Sequence, residues 1–89
     1  MIPIETLTTL LRHLGKRKSA CVISGDPDTR STMIRISSFA HVHFRRPDLS
    51  GLMCLRVPLV ILDGDLGQEV EARAQQMVQN FKDGKVIRI

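Results

Sequence analysis

The sequence predicts one small α+β domain over residues 1–89, with an antiparallel or mixed sheet and two helices on one face. Two segments carry apolar residues at helical spacing, and the rest of the chain contains alternating or continuous apolar runs bounded by turn residues. The predicted order is α-β-β-β-α-β. With 43% hydrophobic and 25% charged residues the composition is globular, and the core must be mostly aliphatic because Trp and Tyr are absent.

The first predicted elements are a helix over residues 3–14 and a buried strand over residues 19–24. Pro3 suits the first helical position, and Gly15 suits the stop. One face of the helix is apolar: Ile4, Leu7, Leu10, Leu11 and Leu14. The strand contains a continuous apolar run, and the turn-forming sequence of residues 25–28 ends it.

A long alternating segment from residue 32 to residue 45 predicts a strand with two different faces. The apolar face holds Ile34, Ile36, Val42 and Phe44. The mixed face holds Met33, Arg35, Phe39, His41 and His43. The segment is longer than most strands, so it either bends near Ser37 or turns there as a hairpin. The bent strand is the preferred interpretation, because the apolar parity continues unchanged through the serines.

The second half of the chain is predicted to hold an edge or divided strand, a helix and a last strand. A loop over residues 46–51 precedes a β-rich run over residues 52–62, which Pro58 interrupts. Asp65 and Gln68 match a capping box, which predicts a helix over residues 66–81. A turn and a strand over residues 86–89 follow. The predicted core places Leu7, Leu11, Leu14, Val70, Met77 and Phe81 against Ile34, Ile36 and Val42.

Motifs for catalysis or cofactor binding are absent from the sequence, so a protein that is not an enzyme and that uses no metal or cofactor is expected. His41 and His43 point to one side of a strand, but two ligands do not complete a zinc site. Asp63 and Asp65 are explained by a turn and a helix cap. Neither a Walker loop, a dinucleotide fingerprint nor a G-x-S-x-G elbow occurs.

The compartment predicted from the sequence is the cytoplasm. Cys21 and Cys54 lie in apolar runs and are interpreted as buried reduced thiols. Residues 1–14 have no long apolar segment typical of a signal peptide. The longest apolar stretch, residues 52–62, is too short to span a bilayer, and no membrane contact is expected.

Charge is the most suggestive remaining feature of the sequence. The formal net charge is +4, and residues 1–62 carry nine Lys/Arg against four Asp/Glu. The basic clusters are Arg12, Lys16, Arg17, Lys18, Arg45 and Arg46. The preferred interpretation of these cations is an ordinary solvated face. The alternative is that, with Arg35, they form one patch that binds phosphates without sequence preference.

Three classes of function follow, in order of preference. The first is a protein-interaction module of adaptor, chaperone or inhibitor type, which uses Met33, Arg35, Phe39, His41 and His43 and forms a homodimer through its sheet. The alternative is a nucleic-acid-associated protein that uses the basic clusters. A small enzyme or metal-binding protein comes third.

Overall fold

The computed structural model describes residues 3–16, 18–37, 41–48 and 55–89. Within these ranges it describes only the backbone of residues 30, 33, 34, 36 and 37. The described elements run α-β-α-β-β-α-β. They are α1 (Ile4–Leu14), β1 (Ala20–Ile23), α2 (Pro27–Ser37), β2 (Val42–Arg45), β3 (Leu59–Leu62), α3 (Gln68–Val78) and β4 (Lys85–Arg88). The predicted mixture of helices and strands is therefore confirmed, but with one more helix than the sequence suggested.

The four strands form one parallel sheet in the order β2-β1-β3-β4. The prediction of an antiparallel or mixed sheet is wrong. All residues of β1 and β3 are buried, because these central strands are covered on both faces. Parallel strands in such positions are continuous apolar runs rather than alternating ones. Both runs are present in the sequence, at Ala20–Ile23 and Leu59–Leu62.

The long two-faced strand predicted over residues 32–45 does not exist. Its first part belongs to α2, and β2 begins only at Val42. Asp26 is the N-cap of α2, since its Oδ1 accepts a hydrogen bond of 3.1 Å from the Asp28 backbone N–H. Pro27 occupies the first helical position, where its missing N–H costs nothing. The turn at residues 25–28 is therefore a helix start, and neither the bent strand nor the hairpin is correct.

Apolar side chains pack on both faces of the sheet. The face that α1 covers contains Leu10, Ala20, Val22, Leu59 and Ile61. The face that α3 covers contains Cys21, Ile23, Val57, Val60, Leu62, Val70, Ala74, Met77 and Val78. Alternate residues of β1 and β3 thus supply the two cores. The two helices predicted from the sequence lie on opposite faces, so the expectation of both on one face is wrong.

The predicted core is correct for some helical residues and wrong for others. Val70 and Met77 are buried on α3. On α1 the fully buried residue is Leu10, whereas Leu11 is 50% exposed. Phe81 is 38% exposed because α3 ends at Val78, before reaching it. The side chains of Ile34 and Ile36, and with them their predicted contacts, lie outside the described part of the structure.

The start of α3 also differs from the prediction. The N-cap residue is Gly67, which has no side chain to cap with and a φ of 94°. Asp65 Oδ1 instead accepts a hydrogen bond of 3.2 Å from the Gly67 backbone N–H. This closes a local turn before the helix. The predicted capping box between Asp65 and Gln68 is therefore absent.

Candidate functional site

The chain leaves the two central strands in opposite directions. From β1 it passes through α2 to the neighbouring edge strand β2, and from β3 it passes through α3 to the other edge strand β4. The carboxyl ends of β1 and β3 therefore form a topological switch point, where open parallel sheets bind their ligands. Ser24 and Asp63 are the first residues after these strands.

A hydrogen-bond network joins the two strand ends across the switch point. Ser24 Oγ donates to Asp63 Oδ2 at 2.6 Å, and Thr29 Oγ1 lies 2.9 Å from the same oxygen. Both hydroxyl side chains are only 1% exposed. The Asp63 backbone N–H donates to the carbonyl of Ile23 at 3.0 Å, which fixes the carboxylate beside β1. Hydrogen bonds to a carboxylate are among the stronger ones, so the network stabilises the geometry of this edge.

Thr29 also connects the network to the start of α2. Its Oγ1 lies 3.1 Å from Asp26 Oδ2, in addition to its contact with Asp63. A hydroxyl group has one hydrogen, so it can donate to only one of the two carboxylates at a time. Ser24 Oγ in turn accepts a hydrogen bond of 2.9 Å from the Asp26 backbone N–H. Asp26 and Asp63 are thereby held on two sides of one buried hydroxyl.

A cavity of about 280 Å³ opens beside the network at the carboxyl ends of β1 and β2. Its lining residues are Ser24, Gly25, Asp26, Pro27, Phe44, Arg46 and Pro47. The side chains offer a carboxylate, an exposed guanidinium and a half-buried aromatic ring. The volume is close to the lower end of small-ligand pockets, about 300 Å³. The cavity therefore suits one compact ligand that has polar groups and a flat apolar part.

The residues of the predicted protein-interaction surface do not lie on one strand. Arg35 is on α2, His41 is exposed just before β2, and His43 is half-buried within β2. Phe39 and the side chain of Met33 lie outside the described residues. Burial, followed by the nearby charges of Arg45 and His41, lowers the pKa of His43. In the described part of the chain, no group of three or more His, Cys, Asp or Glu is placed to hold a metal ion.

The predicted basic clusters lie at opposite ends of the strands. Arg12, Lys16 and Lys18 precede β1, whereas Arg45 and Arg46 are at the carboxyl end of β2. Arg17 lies outside the described residues. The described cations of these clusters are therefore divided between the two ends of the sheet. Arg46 instead lines the cavity at the carboxyl ends of β1 and β2.

Sequence reasoning missed the network because it treated its members as separate turn residues. Two signals were available: Ser24 and Asp63 each directly follow a continuous apolar strand, and the Asp26-Pro27 pair has the form of an N-cap and first helical residue. The buried thiol of Cys21 takes no part in the site. Burial raises its pKa to about 12, against a weaker lowering by Arg45, so the thiol stays protonated. Cys54 lies outside the described residues.

Comparisons with known proteins assign no class to this chain. No protein-family model, curated protein sequence or solved structure matches it significantly. Among the described helices, none is long and apolar enough to cross a membrane. Function is therefore inferred from the geometry of the sheet ends.

Proposed function

We propose that this protein is a small binding domain for a nucleoside phosphate, which it holds in the cavity beside the switch point, at the carboxyl ends of β1 and β2. The observation that carries the proposal is the position of the cavity: it adjoins the buried network of Ser24, Thr29 and Asp63 at the carboxyl ends of parallel strands. The network stabilises the wall of the cavity before any ligand binds. A binding role is proposed because the described groups form a recognition surface without an activated nucleophile.

Three side chains of the cavity each suit a different part of the ligand. Arg46 is suited to the phosphate, because a guanidinium forms two parallel hydrogen bonds with phosphate oxygens. Phe44 is suited to the flat face of the base. Asp26 is suited to sugar hydroxyl groups, because an ionised carboxylate only accepts hydrogen bonds.

The start of α2 favours this orientation of the ligand. A helix N-terminus usually attracts anions, but here the carboxylate of Asp26 already accepts the Asp28 backbone N–H. A phosphate at that position would meet the negative charge of Asp26. The phosphate therefore lies toward Arg46, and the sugar lies toward the helix.

Titration calorimetry with AMP, ADP, ATP and their guanine counterparts tests the proposal, with adenosine as the ligand that lacks phosphate. We expect Arg46→Ala to weaken nucleotide binding by roughly 10- to 100-fold, as for the loss of a charged hydrogen bond. Adenosine binding is expected to change little. Arg73→Ala is the matched control, because Arg73 lies on α3 and bonds to Gln76.

Two results would contradict the proposal. One is the absence of saturable heat with every nucleotide at millimolar concentration. The other is equal weakening by Arg46→Ala and Arg73→Ala, which would place the phosphate elsewhere. Thermal unfolding of both variants shows whether the fold is unchanged.

Self-association through a sheet edge is a second candidate function. The observation that favours it is the terminal position of β2, which pairs only with β1 among the described strands. An edge strand has backbone groups that a second chain can extend. Light scattering at micromolar concentration is expected to give the mass of a dimer, and a monomer mass up to millimolar concentration would contradict this candidate.

A further inference from the structure

The opposite end of the sheet carries a larger cavity, of about 410 Å³. Its lining residues are Lys18, Ser19, Arg56, Pro58, Phe81, Lys82 and Asp83. They come from the three connections that enter β1, β3 and β4 at their amino ends. Because these strands are neighbours in the sheet, segments far apart in sequence meet here.

Positive charge dominates this cavity. Lys18, Arg56 and Lys82 each come from a different connection, and Asp83 is the one acidic residue in the lining. Lys16 and Lys85 are exposed at the same end of the sheet. Cations from separate chain segments around a concave surface raise the local concentration of an anionic partner.

An exposed aromatic ring lies among these cations. Phe81 is 38% exposed, and α3 ends before it, so the ring lies in the connection to β4. Backbone hydrogen bonds hold that connection: Phe81 N–H donates to Val78 O, and Lys85 N–H donates to Pro58 O, each at 3.1 Å. A Cβ at Gly84 would overlap the carbonyl oxygen of Val78, so the turn leaves no space for a side chain there. The ring is therefore displayed on a constrained segment.

We propose that this cavity binds single-stranded nucleic acid. Phe81 stacks on one base, and Lys18, Arg56 and Lys82 contact the neighbouring phosphates. Single-strand binding sites combine these two elements, a cationic groove and an aromatic stacking platform. The site is distinct from the nucleoside-phosphate site, because the two cavities lie at opposite ends of the strands and share no lining residue.

Single-stranded nucleic acid fits the cavity better than an anionic membrane or an acidic protein. A flat membrane surface does not follow a concave cavity, and the apolar lining that could insert into it consists of Phe81 and Pro58. An acidic polypeptide offers charge but no flat ring for Phe81. A concave slot with one ring matches one unstacked base between phosphates.

The test is fluorescence anisotropy of a labelled 12-residue oligothymidylate and the matching oligouridylate, measured at several salt concentrations. Three phosphate contacts predict that log affinity falls by about 2 per log unit of salt, from roughly 0.7 per contact on single strands. Arg56→Ala or Lys82→Ala is expected to reduce this slope by about 0.7. Equal affinity for the DNA and the RNA oligonucleotide would indicate that the site recognises phosphate and base. A higher affinity for one of them would indicate an additional contact with the sugar.

Phe81 is tested separately from the cations. Phe81→Leu retains an apolar side chain but removes the aromatic face, and we expect a loss of about tenfold in affinity without a change in the salt slope. Phe81→Trp is expected to restore or raise affinity. Arg73→Ala, on α3 and outside the lining of both cavities, is the control that leaves oligonucleotide binding unchanged. The two cavities share no lining residue, so failure here is distinguishable from failure of the nucleotide site.

Several outcomes would overturn the proposal. These are no binding at about 20 mM salt, where phosphate contacts are strongest, equal affinity of wild type and Phe81→Leu, and tighter binding to polyglutamate or phosphatidylserine vesicles than to the oligonucleotides. Circular dichroism of each variant shows whether the fold remains intact, and the tryptophan variant keeps the test valid if leucine alters the turn.

Discussion

The two ends of the parallel sheet differ in the sign of the charge that predominates there. The carboxyl end has an excess of acidic residues over the basic Arg45, Arg46 and Arg88: Asp26, Asp28, Asp48, Asp63, Asp65, Glu69 and Glu71. The amino end has an excess of basic residues over the acidic Asp83: Lys16, Lys18, Arg56, Lys82 and Lys85. In the sequence, the charge difference is an excess of positive charge before residue 62. In the fold, positive and negative charges are separated along the strand direction, because a parallel sheet places the carboxyl ends of all its strands together.

Helix dipoles account for part of this separation. Asp28, Glu69 and Glu71 lie in the first turns of α2 and α3, where negative charge is favourable. Both helices run back against the strands, so their N-termini lie at the carboxyl end of the sheet. The dipole does not account for Arg56, which belongs to the connection into β3 and follows no described helix. The charge of Arg56 therefore has no explanation in the helix dipoles.

The largest expected loss of unfolding free energy comes from substitutions in the core between the two ends of the sheet. Leu10→Ala and Met77→Ala remove fully buried side chains from opposite faces of the sheet. Each is expected to reduce the free energy of unfolding by about 2–5 kcal/mol, measured by urea denaturation. Leu11→Ala, at a side chain that is 50% exposed, is the control with a smaller effect. A larger loss from Leu11→Ala than from Leu10→Ala would contradict the assigned face of α1.

These core residues also show how far the sequence allowed the fold to be predicted. The buried face of α3 was predictable because Val70 and Met77 recur at helical spacing in the sequence and both are buried in the fold. On α1, both Leu10 and Leu11 fit one broad apolar face, and only the packing on β1 selects Leu10. The spacing of apolar residues alone does not determine how α1 is rotated about its own axis.

The sheet direction and the site were less predictable, for a related reason. Alternation over residues 32–45 resembled a strand because the end of a helix and the start of a strand happened to share one parity. Short apolar patterns do not distinguish the two structures, and helix caps decide between them. The network of Ser24, Thr29 and Asp63 joins residues from three elements, so it follows from the parallel topology and not from any local motif.

An intermediate loss of unfolding free energy is expected when the Asp63 carboxylate at the switch point is removed. Asp63→Ala would leave the buried hydroxyl groups of Ser24 and Thr29 without this acceptor, which costs about 1–3 kcal/mol of unfolding free energy. Asp65→Ala is the matched control, because Asp65 is exposed and bonds only within its own turn in the described structure. Equal unfolding free energies for the two variants would show that the network does not stabilise the carboxyl end.

The smallest expected effect is a dependence of stability on pH through His43. Burial lowers the pKa of His43 in the folded chain, with smaller contributions from Arg45 and His41. The unfolded chain therefore takes up the proton first as the pH falls below 6.5, and stability decreases toward the lower folded pKa. Above pH 6.5 this contribution is complete.

Thermal unfolding between pH 7.5 and pH 5 measures the effect. This range includes the ordinary pKa of histidine, about 6.5. We expect His43→Gln to flatten part of the slope and His41→Gln, at an exposed position, to retain most of it. An increase of stability on acidification that disappears with His43→Gln would contradict the direction of the pKa shift.

The separation of the two ends is tested most directly by nuclear magnetic resonance. Amide shifts of one labelled sample are recorded during titration with AMP and, separately, with oligothymidylate. We predict that AMP moves the signals of Ser24, Gly25 and Phe44, whereas the oligonucleotide moves those of Lys18, Phe81 and Lys82. Movement of one common set of signals by both ligands, or of none by either, would contradict the assignment of different ligands to the two ends of the sheet.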